Sequence, residues 1–347
     1  MIVAGGTGGH IFPGIAVADF LAQQGWQVVW LGTSDRMEAD VVPRHGIAIR
    51  YINVKGVRGN GLLRLLKAPF MVAKAIMQAR KVMKQERPNV LLGMGGYVTG
   101  PAGVAAKLSG IPLLIHEQNA VAGMSNKLLA QIADQVMAAF PSAFSGKAAS
   151  IVGNPVRESV CRIATKEVTD TVNLLVVGGS LGAQVFNDNL PEAFAELAQA
   201  AAINVQHQTG KGHVHEVTQR YKKLSVSADV SEFIHNMDEA YQWADIVICR
   251  AGALTVSEIA AAGKMAVFIP FPHAVDDHQT ANANYLVKQD AAVILQQKDF
   301  SKETINNLLR PYLSDKSKIA TMAARAKHAG KGDATKQVAN YCIQFSK

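Results

Sequence analysis

Short apolar runs alternate with helix-length segments along almost the whole chain. Runs of β-branched and other apolar residues predict strands, which we place at Gln27–Leu31, Val90–Leu92, Pro112–Ile115, Asn173–Val177, Ile246–Cys249 and Ala266–Ile269. The amphipathic or alanine-rich stretches between them, such as Ile15–Gln24 and Asn187–Ala201, predict helices. Strands that are apolar throughout and alternate with helices are typical of a parallel sheet covered on both faces. We therefore expect an α/β fold built from doubly wound sheets.

This pattern runs through the chain twice. Each half opens with an apolar strand that feeds a glycine turn, MIVAGGTGGH from Met1 and VNLLVVGGSLGA from Val172. A chain of 347 residues is long for a single core, so we expect two Rossmann-like domains, 1–157 and 158–332. We expect the last predicted helix, within 333–347, to pack against the first domain. Because ligands bind at the carboxyl ends of parallel strands, both glycine turns are expected at a shared cleft.

Glycine turns follow three of the predicted strands, with the sequences GGTGGH at 5–10, GMGGYVTGPAG at 93–103 and GGSLGA at 178–183. Consecutive backbone N–H groups and the positive end of a helix dipole form a site for anions. The alternative is that these glycines only permit tight turns. None of the turns has the GxGxxG spacing of a dinucleotide site, and GxxxxGK[ST] is absent from the sequence. The pattern favours a phosphorylated ligand that is neither NAD nor the ATP of a P-loop enzyme.

Polar side chains beside these turns are candidates for binding a ligand. Thr255 and Glu258 fit a capping box, or Glu258 accepts hydrogen bonds from two ribose hydroxyls. His278, Gln279 and Asn282 have the chemistry to hold sugar hydroxyls. The segment HEQN at 116–119 closes a strand with four polar groups, which need partners if they are buried.

Two basic side chains suit phosphate and proton chemistry. Arg157 ends GNPVR at 153–157, and its guanidinium suits a diphosphate, although a lone arginine is more often in a surface ion pair. His10 ends the first glycine turn and is a candidate general base or phosphate donor. The alternative for His10 is an inert residue that caps or packs at a helix start.

Net charge is +8, which predicts an anionic partner. Aromatic residues make up only 6% of the chain and no basic run is interleaved with them, so nucleic acid is not expected as a partner. The three cysteines form no CxxC pair, and the chain has no DxD triplet. We therefore expect neither a cysteine metal site nor a metal-held nucleotide, and no cofactor.

Residues 62–84 combine a basic face with an apolar stripe. The stripe at helical spacing consists of Leu62, Leu65, Leu66, Phe70, Ala73, Ile76 and Met77, and Lys67, Lys74 and Lys81 repeat at every seventh position. One interpretation is a core helix with a solvated basic face. The other is a segment that presses apolar side chains into an anionic membrane surface. Pro69 predicts a break or kink in this helix.

Taken in order, the motifs GGTGGHIFPGIAVA, GMGGYVTGP, HEQN, GNPVR, GGSLGA, CRAGALTVSEIAAAG and the late Gln279 resemble those of the MurG family. The members of this family are UDP-N-acetylglucosamine:undecaprenyl-diphospho-muramoylpentapeptide N-acetylglucosaminyltransferases of bacterial cell-wall synthesis. The resemblance extends from residue 1 to about 345. It implies the GT-B arrangement of two Rossmann-like domains, with UDP-GlcNAc bound by the second domain. It also implies a peripheral protein on the cytoplasmic face of the bacterial inner membrane.

The resemblance also implies roles for individual residues. Those that contact UDP-GlcNAc are Thr7, Gly8, Gly9, Asn119, Arg157, Ser180, Ile234, Ala253, Leu254, Thr255, Val256, Ser257, Glu258 and Gln279. Among them, Arg157 and Ser180 face the diphosphate, Ile234 the uracil, Glu258 the ribose and Gln279 the sugar. Gly95, Gly96 and Tyr97 hold the diphosphate of the undecaprenyl-linked acceptor. Leu181, Ala251 and His278 depart from the family pattern, which has glutamine, serine and glutamine at these places.

The implied reaction is an inverting transfer of GlcNAc to the C4 hydroxyl of the muramoylpentapeptide. A base must take the hydroxyl proton, and His10 is our first choice, with Glu117 second. One rival is a nicotinamide-dependent dehydrogenase, for which Asp35 is the only weak candidate for the ribose acid. The other is a sugar-nucleotide-binding membrane subunit without catalysis of its own.

Overall fold

The computed structural model describes residues 1–54, 61–144, 146, 148–179 and 182–346, without the side chains of 61–67 and 275. The chain divides into two compact units. The N-terminal unit comprises Met1–Val156 and Gly332–Lys347, and the C-terminal unit comprises Arg157–Lys331.

The N-terminal unit is a parallel sheet with helices. Its strands are β1 (Ile2–Ala4), β2 (Val29–Gly32), β3 (Ala48–Tyr51), β4 (Leu91–Gly95), β5 (Leu113–Glu117), β6 (Gln135–Ala138) and β7 (Ser150–Ile151). They pair in the order β3-β2-β1-β4-β5-β6-β7, each pair parallel. The strand order therefore reverses between β1 and β4, and the first two glycine turns follow these two strands. Ligands of doubly wound folds bind at such a reversal.

Apolar packing joins the last helix to this sheet. The helices of the unit are α1 (Gly8–Gln23), α2 (Met37–Arg44), α3 (Gly61–Glu86), α4 (Thr99–Leu108), α5 (Met124–Leu129) and α14 (Ala334–Phe345). Ile15 of α1, Leu92 of β4 and Val338 of α14 are buried in the same apolar cluster. Each such aliphatic side chain contributes about 1.5–3 kcal/mol when it leaves water. The apolar face of α14 therefore stabilises the N-terminal unit.

The C-terminal unit repeats the same plan. Its strands are β8 (Val172–Val177), β9 (Ile203–Gln208), β10 (Ala228–Ser231), β11 (Ile246–Cys249), β12 (Met265–Phe268) and β13 (Ala292–Ile294). They pair in parallel in the order β10-β9-β8-β11-β12-β13. Its helices are α6 (Glu158–Cys161), α7 (Gln184–Ala198), α8 (Val214–Lys223), α9 (Met237–Trp243), α10 (Ala253–Ala262), α11 (His278–Val287), α12 (Lys302–Ser314) and α13 (Ser317–Ala329). The predicted α/β class, with two doubly wound sheets, is confirmed.

Helix α3 tests two of the sequence predictions, the break at Pro69 and the burial of the apolar stripe. Pro69 lies inside the helix, which continues to Glu86, so the predicted break is wrong. A proline removes one backbone hydrogen bond, but Ala75, Ala79 and Met83 are buried beyond it, and this packing supports the helix. The buried face of α3 beyond Pro69 therefore includes these three residues. Phe70 and Met77 of the predicted apolar stripe are 79% and 63% exposed, which contradicts the core-helix interpretation at these two positions and fits the membrane-surface interpretation.

Candidate active site

A buried carboxylate supports the first glycine turn. Glu38 of α2 accepts hydrogen bonds from the Gly6 N–H at 3.0 Å, the Thr33 N–H at 3.0 Å and the Thr33 hydroxyl at 2.7 Å. A side chain on Gly5 would overlap this carboxylate, with its Cβ 2.6 Å from Oε1. Glu38 thus joins the turn after β1 to the end of β2. Sequence reasoning missed it, because it is one acid among several in DRMEAD and no local pattern marks it as buried.

The first two glycine turns pack backbone against backbone. Gly96 has a φ of +87°, and a Cβ there would lie 2.2 Å from the carbonyl oxygen of Gly5. Gly95 has a φ of +104°, and a Cβ there would lie 2.7 Å from Nδ1 of His10. These two positions need glycine both for the left-handed conformation and for the close approach. At Gly95 and Gly96, tight packing therefore accounts for the glycines. Tyr97 beside them is 57% exposed.

Thr7, Gly8 and Gly9 lie at the start of α1, and His10 follows them inside the helix. Thr7 is the N-cap residue, so the alternative in which His10 caps the helix is wrong. A Cβ on Gly6 would meet nothing within 4 Å, and one on Gly9 only Oγ1 of Thr7. The space beside Gly6 and Gly9 at the start of α1 is therefore open, and the N-terminus of a helix suits an anion.

The HEQN segment is held by buried hydrogen bonds. Glu117 accepts four of them, from the N–H and Nδ2 of Asn119, the N–H of Gly123 and Nδ2 of Asn126, at 2.9–3.3 Å. A carboxylate with four donors around its two oxygens is fully engaged. Glu117 therefore holds the segment after β5 in place, and this geometry argues against its choice as second candidate base.

His10 is the end of a chain of hydrogen bonds that runs into the N-terminal unit. Its Nδ1 lies 2.8 Å from Oε1 of Gln118, and Nε2 of Gln118 lies 3.0 Å from Nδ1 of His116. Nε2 of His116 lies 2.8 Å from the carbonyl oxygen of Gly153. Gln118 and His116 are buried, whereas His10 is half-buried. This chain brings together two of the predicted motifs, GGTGGH and HEQN.

The third glycine turn belongs to the C-terminal unit. A Cβ on Gly182 would lie 2.2 Å from the carbonyl oxygen of Thr209, so this glycine permits close packing. Gly179, at a φ of +90°, has open space on its Cβ side. Ser180, predicted at the diphosphate, and Leu181 lie outside the described residues.

Helix α10 begins one residue after Gly252, so the capping-box interpretation of Thr255 and Glu258 is wrong. Glu258 is buried, and its carboxylate accepts from the Tyr241 hydroxyl at 3.1 Å and from Arg157 at 3.4 Å. Burial raises the pKa of Glu258, and the Arg157 guanidinium and the Tyr241 hydroxyl oppose that rise. Sequence reasoning missed Tyr241, which comes from α9 and carries no motif of its own.

The residues of α10 that are predicted to contact the ligand differ in their burial. Val256 is fully buried and Ala253 nearly so, whereas Leu254, Thr255 and Ser257 are half-buried. The side chain of Val256 therefore belongs to the core. Ile234, predicted beside uracil, is half-buried in the connection between β10 and α9. The rings of its two neighbours, Phe233 and His235, lie 5.1 Å apart.

Amide side chains hold the loops after β11 and β12 together. Oε1 of Gln279 accepts from the N–H of Ala251 at 3.2 Å and from the N–H of Phe271 at 2.9 Å. Nδ2 of Asn282 donates to the carbonyl oxygen of Ala251 at 3.1 Å. Asn282 is fully buried, so its prediction as a sugar contact is wrong. His278 begins α11 and is half-buried.

Arg250 is a third residue that sequence reasoning missed, after Glu38 and Tyr241. Its guanidinium lies over the rings of Phe186, at 5.0 Å, and Phe271, at 5.6 Å, and donates to the carbonyl oxygen of Ile269 at 3.1 Å. Burial lowers its pKa. Arg250 therefore holds the loop that carries Phe271 in place. In the sequence, only its position in the motif CRAGAL could have indicated this role.

An apolar cavity of about 340 Å³ lies in the N-terminal unit beside the second glycine turn. Its lining includes Met71 and Ala75 of α3, Tyr97, Val104 of α4 and Leu128 of α5. Among the described residues, no group of three His, Cys, Asp or Glu side chains could hold a metal ion. Within the same residues, no helix is both long and apolar enough to cross a membrane.

Two units, each a doubly wound parallel sheet with a glycine turn after its first strand, are typical of enzymes that bind nucleotides. Models of the glycosyltransferase family 28 N-terminal and C-terminal domains match residues 1–138 and 173–338. The chain is 65% identical over its full length to the UDP-N-acetylglucosamine--N-acetylmuramyl-(pentapeptide) pyrophosphoryl-undecaprenol N-acetylglucosamine transferase of Pseudoalteromonas translucida strain TAC 125, covering 98% of that protein. Identity to the protein of the same name from Shewanella sediminis strain HAW-EB3 is 52%, over the full chain and 96% of the relative.

A solved structure agrees with these relatives. The crystal structure of Acinetobacter baumannii MurG is 43% identical and superposes with a TM-score of 0.86 over 99% of both chains. The chain therefore belongs to the MurG family within glycosyltransferase family 28, and it is a hexosyltransferase. The resemblance drawn from the seven sequence motifs is confirmed.

Proposed function

We propose that this protein transfers GlcNAc from UDP-GlcNAc to the C4 hydroxyl of the muramoylpentapeptide on undecaprenyl diphosphate, converting lipid I to lipid II with inversion at the anomeric carbon. The observation that carries the proposal is the 65% identity, over the whole chain, to a transferase named for this reaction. The protein thus acts in peptidoglycan synthesis. The two rival functions have no support, since the relatives are transferases and the chain has no dinucleotide fingerprint.

Donor binding is assigned to the C-terminal unit. Glu258, in the middle of α10, accepts hydrogen bonds from the ribose hydroxyls, and Tyr241 and Arg157 hold its carboxylate in position. Arg157 also serves the diphosphate, together with Ser180 and the N-terminus of α10. Ile234 lies against uracil. Gln279 contacts the sugar, while its amide oxygen accepts hydrogen bonds from the N–H groups of Ala251 and Phe271. Thr7, Gly8, Gly9 and Asn119 of the N-terminal unit add donor contacts.

Acceptor binding is assigned to the N-terminal unit. The turn of Gly95, Gly96 and Tyr97 holds the acceptor diphosphate, and the apolar cavity beside Tyr97 suits the part of the prenyl chain nearest to that diphosphate. His10, which contacts Gly95, takes the proton of the attacking hydroxyl. The transition state resembles an oxocarbenium ion, as in glycoside hydrolysis.

The test of this function uses the purified chain alone. UDP-GlcNAc is supplied with a prenyl-diphosphate-linked muramoylpentapeptide, and UDP release is measured against the disaccharide product. We expect one UDP for each disaccharide formed, and no release beyond slow hydrolysis when the acceptor is omitted. A chain that binds UDP-GlcNAc but needs a second protein for turnover would support the non-catalytic subunit instead.

The exposed side of α3 supports a membrane-docking surface, which we place at the cytoplasmic face of the inner membrane. Phe70 and Met77 are exposed there, and so are Lys74, Lys81 and Lys84. Apolar side chains beside lysines bind anionic lipid surfaces. Leu62, Leu65 and Leu66 of the predicted apolar stripe, and Lys67 of the lysine repeat, lie at positions whose side chains are outside the described set.

Reversing two charges on this surface should weaken its membrane binding. Each lysine near an anionic surface contributes about 1 kcal/mol, so Lys74→Glu with Lys81→Glu should lower affinity for phosphatidylglycerol vesicles at least about 30-fold. Vesicle co-sedimentation at rising salt measures the effect, which should diminish as salt screens the charges. The matched control is Lys222→Glu with Lys223→Glu on α8, which makes the same charge change on exposed lysines of the other unit. Equal losses in the two double variants would rule out a surface specific to α3.

A further inference from the structure

The hydrogen-bond chain behind His10 determines which nitrogen of that ring carries the proton. The chain begins at the carbonyl oxygen of Gly153, which can only accept. His116, 2.8 Å away, must therefore carry a proton on Nε2. Burial lowers the pKa of His116 to about 4, so its ring is neutral near pH 7 and its Nδ1 can only accept.

The side-chain amide of Gln118 has one orientation that fits these partners. The atom of Gln118 that faces Nδ1 of His116 at 3.0 Å must be a donor, and only the amide nitrogen qualifies. The same nitrogen lies 3.2 Å from the carbonyl oxygen of His116, which again requires a donor. The amide oxygen consequently faces Nδ1 of His10 at 2.8 Å. Since this oxygen only accepts, His10 must donate from Nδ1.

We propose that Gln118 and His116 are positioning residues that hold His10 in the tautomer with its proton on Nδ1, so that Nε2 presents the lone pair that receives the acceptor's hydroxyl proton. The inference rests on the proposed transfer reaction, because that reaction gives His10 its task. The nitrogen that a histidine uses is set by the hydrogen bond that its other nitrogen makes. Gly95 also packs close to the His10 ring, since a Cβ at this glycine would lie 2.7 Å from Nδ1 of His10.

The arrangement suits both halves of the proton transfer. In the reaction, the C4 oxygen bonds to the anomeric carbon while the bond from that carbon to UDP breaks, and its electron pair leaves with UDP. The hydroxyl proton passes to Nε2 of His10, whose Nδ1–H keeps its bond to Gln118. That bond strengthens when the ring becomes positively charged, so Gln118 stabilises the imidazolium without rotating. The proton then passes from Nε2 to water.

The tautomer can be read directly from the resting protein. The full chain is labelled with 15N-histidine, two-bond 1H–15N correlations are recorded, and the His10 signals are assigned by their loss in His10→Ala. At a pH where the ring is neutral we expect the pattern of an imidazole protonated on Nδ1. A pattern protonated on Nε2 would overturn the proposal whatever the activity of the protein.

A variant of Gln118 then tests whether the tautomer matters for transfer. Gln118→Met removes the oxygen at similar side-chain length, so the His10 signals should move toward Nε2 protonation and kcat should fall about 10- to 100-fold. KM for both substrates should stay within about two-fold, because the bond acts on the proton transfer rather than on binding. Gln118→Glu keeps an oxygen that accepts from Nδ1 of His10, and its second oxygen, when protonated, replaces the amide donor to His116, so this variant should retain Nδ1 protonation and recover part of kcat.

The matched control is Gln135→Met in β6, where the amide nitrogen donates to Oγ of Ser150 at 2.9 Å. It should change neither the His10 signals nor kcat. Unchanged kcat in Gln118→Met with a shifted tautomer would contradict the positioning role, as would equal losses in Gln118→Met and Gln118→Glu. If the wild-type protein releases no UDP, the proposed function fails, and the role of Gln118 in transfer fails with it. The tautomer is tested separately, because the wild-type spectrum shows it whether or not the protein is active.

Discussion

Replacing His10 with alanine should lower kcat for GlcNAc transfer about 10²- to 10⁴-fold, the usual contribution of a general base. KM for UDP-GlcNAc should change by no more than about two-fold, since His10 is assigned to the acceptor's proton and not to donor binding. Steady-state UDP release at varied concentrations of each substrate measures both constants.

The pH profile gives a second readout for His10. A histidine accepts a proton only when its ring is neutral, so wild-type kcat should fall as pH is lowered. The residual activity of His10→Ala should lack this fall. The control is His45→Ala, which removes an exposed histidine of the same unit that lies 4.0 Å from Asp19. Near-normal turnover with an unchanged pH profile in His10→Ala would exclude His10 as the base.

Replacing Glu258 with alanine should lower kcat/KM for UDP-GlcNAc by about 10²-fold or more, mainly through a higher KM. A hydrogen bond to a charged group contributes about 1.5–3 kcal/mol, and the carboxylate is proposed to accept two from the ribose. The variant also leaves the hydroxyl of buried Tyr241 without the carboxylate oxygen that lies 3.1 Å away. Isothermal titration with UDP separates this loss of binding from a loss of chemistry.

The pH dependence of donor binding has a definite sign. Ribose hydroxyls donate to the ionised carboxylate, so binding is lost as pH falls through the pKa of Glu258. Burial raises this pKa, so the loss should begin at a higher pH than for an ordinary glutamate. Glu258→Gln should abolish this dependence. The control Glu192→Ala removes a carboxylate that pairs with Arg220 at 2.7 Å in the same unit, and it should leave KM unchanged. A donor KM unaffected in Glu258→Ala would contradict the ribose assignment.

Several departures from the sequence predictions share one cause. Glu117 and Asn282 were predicted as base and sugar contact because they are polar residues in motifs near strand ends. In the structure both side chains are buried and hydrogen-bonded to the backbone, Glu117 to Gly123 and Asn282 to Ala251, so both have structural roles. A polar residue beside a binding loop can serve the ligand or the loop itself, and spacing along the chain does not distinguish these.

The sequence by itself determined the α/β class, the two repeated halves, the positions of the central strands of each sheet and the family. These depend on local periodicity and on motifs of consecutive residues, so they can be read along the chain. The tertiary structure alone decided which groups share a hydrogen bond. Glu38 reaches Gly6, Tyr241 reaches Glu258, and Gln118 reaches His10 across 108 positions of sequence. Buried donors and acceptors must be paired, but folding chooses the partner, and that choice sets the tautomer of His10.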